Sequence, residues 1–166
     1  MILKLIKKML RNVHNNPRSR PWFTPSTEGK KKEDKAPVNS DLDVNLTYLQ
    51  ETLGYSADLV IRQFTISSGQ PVSAALVFID GLVDSVTINE TIMKSLMLEM
   101  RMVGDDFPAK EIFRGVKNRV LSVGQLREVH NLSDLLDGML SGDTVLLIDG
   151  NSTALLLGTR GGNPGQ

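Results

Sequence analysis

Cysteine is absent from this chain, which excludes disulfides and thiolate metal ligation and fits a reducing compartment. Histidine is nearly absent: His14 lies in a basic tail and His130 precedes a helix, so the pair does not assemble into a catalytic set. No apolar run approaches the ~18 residues that a bilayer span requires. The expectation is a polypeptide that is soluble or touches a membrane from one side. Phosphate-loop and zinc-ligand spacings are missing as well. Net charge is absent only on average. Residues 1 to 38 hold ten Lys/Arg against three acids, a balance of +7, and the rest holds nine against sixteen, a balance of −7.

What is present divides the 166 residues into a basic tail, 1–39, an ordered domain, 40–160, and a short glycine-rich end, 161–166. In Met1 to Asn15, Ile2, Leu3, Ile6, Met9, Leu10 and Val13 form one helical stripe opposite Lys4, Lys7, Lys8 and Arg11. That segment is either an amphipathic end or a contact with an anionic membrane surface, where each cation contributes about 1 kcal/mol. Lys4, Lys7 and Lys8 interrupt the apolar core that a signal peptide needs. Asn16 to Asn39 carries four prolines and the run Lys30-Lys31-Lys32-Glu33-Asp34-Lys35, the composition of a disordered linker. Trp22 and Phe23 have no fixed surface on which to stack bases, so nucleic acid is not an expected partner.

Within the domain, Ala74 to Ile79 is an unbroken apolar run rich in β-branched and aromatic residues, the pattern of a strand covered on both faces and the expected centre of the sheet. Asp80-Gly81 breaks it. Asp84 marks a turn, and a helix capped from Thr87 or Asn89 should follow, with Ile92 and Leu96 inward and Met93, Met97, Met100 and Met102 filling core. Earlier, Ser40 is a candidate N-cap for a helix with Leu42, Leu46, Leu49 and Leu53 on one face and Gly54 at its end. Asp58–Ile66 and Pro71–Asp80 read as a strand pair. Later, Ala109–Lys117 reads as a short helix, Val120–Val123 and Leu126–Val129 as short strands, and Asn131 or Ser133 as the cap of a helix stopped by Gly142. Thr144–Ile148 and Thr153–Leu157 form a hairpin about Asp149-Gly150. The fold class is therefore α/β: a mixed sheet of four to five strands with helices packed on it.

Asp80, Asp84 and Asp149 are the candidate chemical group, since ligands of α/β sheets gather beyond the carboxyl ends of strands and three carboxylates suit Mg²⁺. A strand running into Asp-Gly resembles the haloacid-dehalogenase-type phosphatases, but the second aspartate of their motif is replaced here by Leu82. The competing structural reading makes Asp80-Gly81 and Asp149-Gly150 plain turn residues whose carboxylates bond nearby backbone N–H groups. No catalytic residue, metal ligand or cofactor is assigned.

The segment Phe78-Ile79-Asp80-Gly81-Leu82-Val83-Asp84, with Ile88-Asn89 and Ile92 to Met97 after it, resembles the A-subunits of bacterial spore germinant receptors, the GerA family. Leu140 to Gly150 (LeuSerGlyAspThrValLeuLeuIleAspGly) and Asn45 to Ile66 match in the same order, so the likeness covers about Leu42 to Arg160. Ser95 stands where the family usually has proline, and the transmembrane helices of family members have no counterpart before Gln166. The resemblance implies the cytosolic N-terminal part of a receptor subunit in the spore inner membrane. It implies partners as well, a transporter-like B-subunit, a lipoprotein C-subunit and other A-subunits, and a role in assembly and signal relay. A germinant site near Asp80, Gly81, Asp84 and Asn89 is one alternative, and a Mg²⁺-dependent phosphohydrolase centred on Asp80 is another.

Overall fold

The computed structural model describes residues 35–66, 71–97, 109–121 and 125–161. The expectations for Lys4, Lys7, Lys8 and Arg11, for the tail before Lys35, and for 162–166 lie outside those residues. Helix α1 (Leu42–Thr52) leads into β1 (Leu59–Ile66) and β2 (Val72–Ile79). Then come α2 (Thr87–Met93), α3 (Ala109–Leu121), β3 (Leu126–Val129), α4 (Leu132–Leu140), β4 (Thr144–Ile148) and β5 (Ala154–Leu157).

The five strands lie in the order β1-β2-β4-β5-β3. The α/β class and the strand number are those expected, but among the described residues all four pairings are antiparallel, where a mixed sheet was expected. Its centre is β4, with β2 beside it. Leu59 faces Ile79 and Ile66 faces Val72 in the first pair, while Thr144 faces Leu157 in the hairpin about Asp149-Gly150.

Antiparallel sheets usually leave one face wet, yet every residue of β4 and β5 is buried. Helices on both faces account for this. Leu76, Phe78, Leu146, Ile148, Leu155 and Leu157 join Ile88 and Ile92 of α2, Leu96 just beyond it, and Ile112 and Val116 of α3 in one core. Because strand side chains alternate, Val77, Ile79, Val145, Leu147 and Leu156 point to the other face, where α1 and α4 pack. A Cβ on Gly138 of α4 would collide with the Leu156 side chain, so the smallest residue sets that close approach. Each fully buried Leu, Ile or Val contributes about 1.5–3 kcal/mol over leaving it in water, and this doubled core is what holds the strands flat against two helix layers.

Several local expectations need correction. Asp41, not Ser40, caps α1, because its carboxylate accepts the N–H groups of Asp43 and Val44. Order begins before Ser40. Val38 is buried, its N–H donates to the His130 carbonyl at 2.9 Å, and the Leu132 N–H donates to the Ala36 carbonyl at 2.8 Å. Asn45, buried on α1, clamps Asn39 by two backbone bonds. Val120 and Leu121 finish α3 instead of opening a strand. On α2, Met93 is half-buried and Met97 is 47% exposed, so Met97 does not fill core. Met100 and Met102 lie outside the described residues.

Candidate functional site: the corner from Asp80 to Asp84

At the end of β2 the chain makes a tight turn. The Asp80 N–H donates to the Asp58 carbonyl, the Asp80 carboxylate accepts the Gly81 N–H at 3.1 Å, and Gly81 takes φ +84°, a conformation that favours glycine. Leu82, Val83 and Asp84 then run antiparallel to Thr159, Arg160 and Gly161. Asp84 N–H donates to the Thr159 carbonyl at 2.7 Å, Gly161 N–H donates to the Leu82 carbonyl at 3.2 Å, and Val83 lies opposite Arg160 between these bonds. The acidic corner is thus zipped to the stretch through which the chain leaves β5.

Asp84 also starts α2. Its two oxygens accept the Val86 N–H at 2.9 Å and the Thr87 hydroxyl at 2.8 Å, and the Ile88 N–H donates back to its carbonyl. The hydroxyl of Thr87 above all, with the Val86 N–H, holds the Asp84 carboxyl below the ordinary carboxylate range, because both bond to the charged form. Thr87 and Asn89 are therefore not the caps. Asn89 sits one turn on, exposed, and accepts from the Arg62 guanidinium, which lies 5.5 Å from the centre of the Phe78 ring. Arg62 thereby ties α2 to strand β1.

A third segment backs the corner. Gly142, the residue just past the turn that ends α4, has φ +95°, and a Cβ there would stand 2.7 Å from the Leu82 carbonyl oxygen. Two buried hydroxyls follow. Thr159 donates to the Gly142 carbonyl at 3.2 Å, which leaves the Thr144 hydroxyl to donate to Thr159 at 2.7 Å. Asp143, only 6% exposed, accepts from the Arg160 guanidinium at 3.0 and 3.5 Å. That pairing holds the guanidinium proton more firmly than usual.

The three candidate carboxylates do not gather. Strands β2 and β4 are antiparallel, so their carboxyl ends point opposite ways: the Asp149 N–H donates to Ser73 at the start of β2, while Asp80 lies seven residues along that strand, about 23 Å away. The trio expected to suit Mg²⁺ is not assembled. Asp149 and Gly150 do mark a turn, as expected, with Gly150 at φ +83°, but the Asp149 carboxylate accepts from the Leu42 N–H at 3.0 Å and so secures the start of α1. Asp80, Gly81 and Asp84 remain together at the corner. Sequence reading named Gly142 as a helix stop and Thr144 as a strand start, but brought neither of them, nor Thr159, Arg160 and Gly161, to the corner. A glycine just beyond a helix end was a legible signal at Gly142; pairing of 82–84 with 159–161 had none.

Comparison with known proteins fits this picture. Residues 47–164 match the family described as Bacillus/Clostridium GerA spore germination protein. The chain is 24% identical over 131 residues to Spore germination protein KA of Bacillus subtilis (strain 168), covering 79% of this chain and 23% of that protein. It is 26% identical over 112 residues to Spore germination protein GerLA of Bacillus cereus, covering 68% of this chain and 22% of the relative. The chain therefore spans about a quarter of the length of either relative. Among solved structures, the N-terminal domain of the A subunit of the Bacillus megaterium spore germinant receptor GerK3 superposes with a TM-score of 0.65 and 31% identity, over 77% of this chain and 49% of that one. The chain belongs to the GerA spore germination family, and it shares the fold of about half of the solved germinant-receptor A-subunit N-terminal domain.

Proposed function

We propose that this domain is a non-enzymatic relay and assembly piece of a germinant receptor at the spore inner membrane, working with B- and C-type subunits and with other A-subunits. The observation that carries the reading is the ladder between 82–84 and 159–161. It joins the acidic corner, the start of α2 and the stretch after β5 by backbone bonds, so a displacement of one strand moves the other. Such coupling needs an element with two arrangements, and a ladder of two bonds around one residue pair is short enough to open and close. The paired hydroxyls of Thr144 and Thr159 and the Asp143–Arg160 pair fix the closed arrangement. On this reading the basic stripe of Lys4, Lys7, Lys8 and Arg11 rests on an anionic membrane surface.

Gly161→Pro in the full-length subunit is the test, because proline has no N–H to give to Leu82. The variant should accumulate and co-purify with its partner subunits while spores carrying it lose their nutrient response. Spores that germinate at the normal rate would remove the relay role. A full-length subunit that fractionates as a soluble monomer without partners would remove the assembly role.

The germinant-site reading rests on Asp80 and Asn89, whose side chains are exposed but committed to Gly81 and Arg62. The phosphohydrolase reading rests on Asp80 alone, since Asp84 has both oxygens engaged and Asp149 is remote. The relay reading uses all the corner's contacts and is the one adopted.

A further inference from the structure

Beside the ladder, on the α4 side of the β5–β3 edge, lies an open cleft of about 650 Å³ lined among others by Gln125, Arg127, Asp143, Leu156, Gly158 and Arg160. That volume falls in the ~300–1,000 Å³ range of small-ligand sites. Its charge is one-sided. Two guanidiniums line it, and its single carboxylate, Asp143, is 91% shielded at the side chain and already served by Arg160. Arg160 nevertheless keeps 63% of its side chain exposed. Arg127 projects from the face it shares with Leu156, is exposed, and forms no hydrogen bond or ion pair among the described residues. The nearby carboxylate of Asp134 is bonded by Lys35 and Asn131 and lies close enough to Arg127 for that guanidinium's charge to help keep it ionised, while Glu128 turns to the other face to pair with Lys117. The residues lining the cleft therefore carry a net charge of one positive unit, with the Gln125 amide as a further neutral donor and Leu156, on the same face as Arg127, as an apolar wall.

We infer that this cleft binds a small monocarboxylate with a short apolar tail, its carboxylate taken by Arg127 and the open side of Arg160. A planar guanidinium matches a carboxylate through two parallel N–H donors, and a single negative charge balances the cleft. A cation would meet two like charges. The inference rests on the cleft alone and stands or falls separately from the relay reading, although an occupant touching Arg160 also touches the residue opposite Val83.

The test is a titration of the isotope-labelled 166-residue chain with butyrate, butylamine, butanol and inorganic phosphate at constant ionic strength, followed by backbone amide shifts. Butyrate should give saturable shifts confined to Gln125–Arg127, Asp143 and Gly158–Arg160, with little from butylamine or butanol and weaker binding of phosphate. Arg127→Gln, at an exposed position, should weaken butyrate at least about tenfold, and Arg160→Gln likewise, as expected for losing a hydrogen bond to a charged group. Shifts that grow linearly without saturation, that persist unchanged in Arg127→Gln, or that butylamine or butanol reproduces would overturn the assignment. Tighter binding of phosphate than of butyrate would overturn the ligand class.

Discussion

Gly81 and Gly142 both hold positive φ, yet an added methyl meets open space at the first and the Leu82 carbonyl at 2.7 Å at the second. Gly81→Ala should cost about 1–2 kcal/mol from the left-handed backbone alone. Gly142→Ala adds a clash with backbone, so its cost should reach about 3 kcal/mol or more, read as a lower urea midpoint of unfolding. Equal midpoints for the two variants would contradict the close approach. The two Asp-Gly corners should likewise differ: Asp149→Ala removes the acceptor of the Leu42 N–H and should cost about 1 kcal/mol, whereas Asp80→Ala should stay within about 0.5 kcal/mol. Acid should act through Asp84 and Asp134. Asp84, bonded by Thr87 and Val86, and Asp134, bonded by Lys35 and Asn131, both have carboxyl pKa values lowered from 3.8. A depressed native pKa means the unfolded chain binds the proton more readily, so these groups stabilise the fold above pH ~4, and the contribution disappears as pH falls through their native values. Urea midpoints should be level from pH ~7 to ~5 and drop below ~4, less steeply in an Asp84→Asn, Asp134→Asn double variant. Asp80-Gly81 was legible as a turn from its dipeptide alone. The use of Asp149 was not, since its partner Leu42 lies 107 positions away and no local pattern marks it.

Helix α2 is wound as a π-helix from Thr87 to Met93, with Ile88 and Ile92 as its buried residues. Such windings are rare and frequently stand at functional sites. Amide exchange should therefore be faster along α2 than along α4, and slowest in β4 and in β2 from Ala74 on, where the residues are buried on both faces. Uniform protection of α2 and β4 would count against a movable corner. The strands with unbroken apolar runs were legible because burial on both faces suppresses alternation, and that held for β2, β4 and β5. The start of α2 was misplaced because Thr87 and Glu90 imitate a capping box, while the tertiary ladder at Asp84 fixes the turn earlier. The same apolar runs suggested a partly parallel sheet, since covered strands are commonest in parallel sheets, and nothing local in a strand states its direction.

At the scale of the whole molecule, the two Asp-Gly dipeptides have different tasks: Asp149-Gly150 secures α1 at one end of the sheet, and Asp80-Gly81 opens the corner at the other. What makes the corner a candidate relay is that segments far apart in sequence, 80–84, 142–144 and 159–161, converge on it. The most direct test uses the absence of cysteine from these 166 residues. Val83 and Arg160 form an antiparallel pair flanked by the two ladder bonds, a geometry that places Cα atoms about 4.5 Å apart, within reach of a disulfide. Full-length subunit carrying Val83→Cys and Arg160→Cys, with bond formation verified by mass spectrometry, should leave spores unresponsive to nutrient when oxidised and responsive again after reduction. An undiminished response with the bond intact would contradict a relay through this ladder.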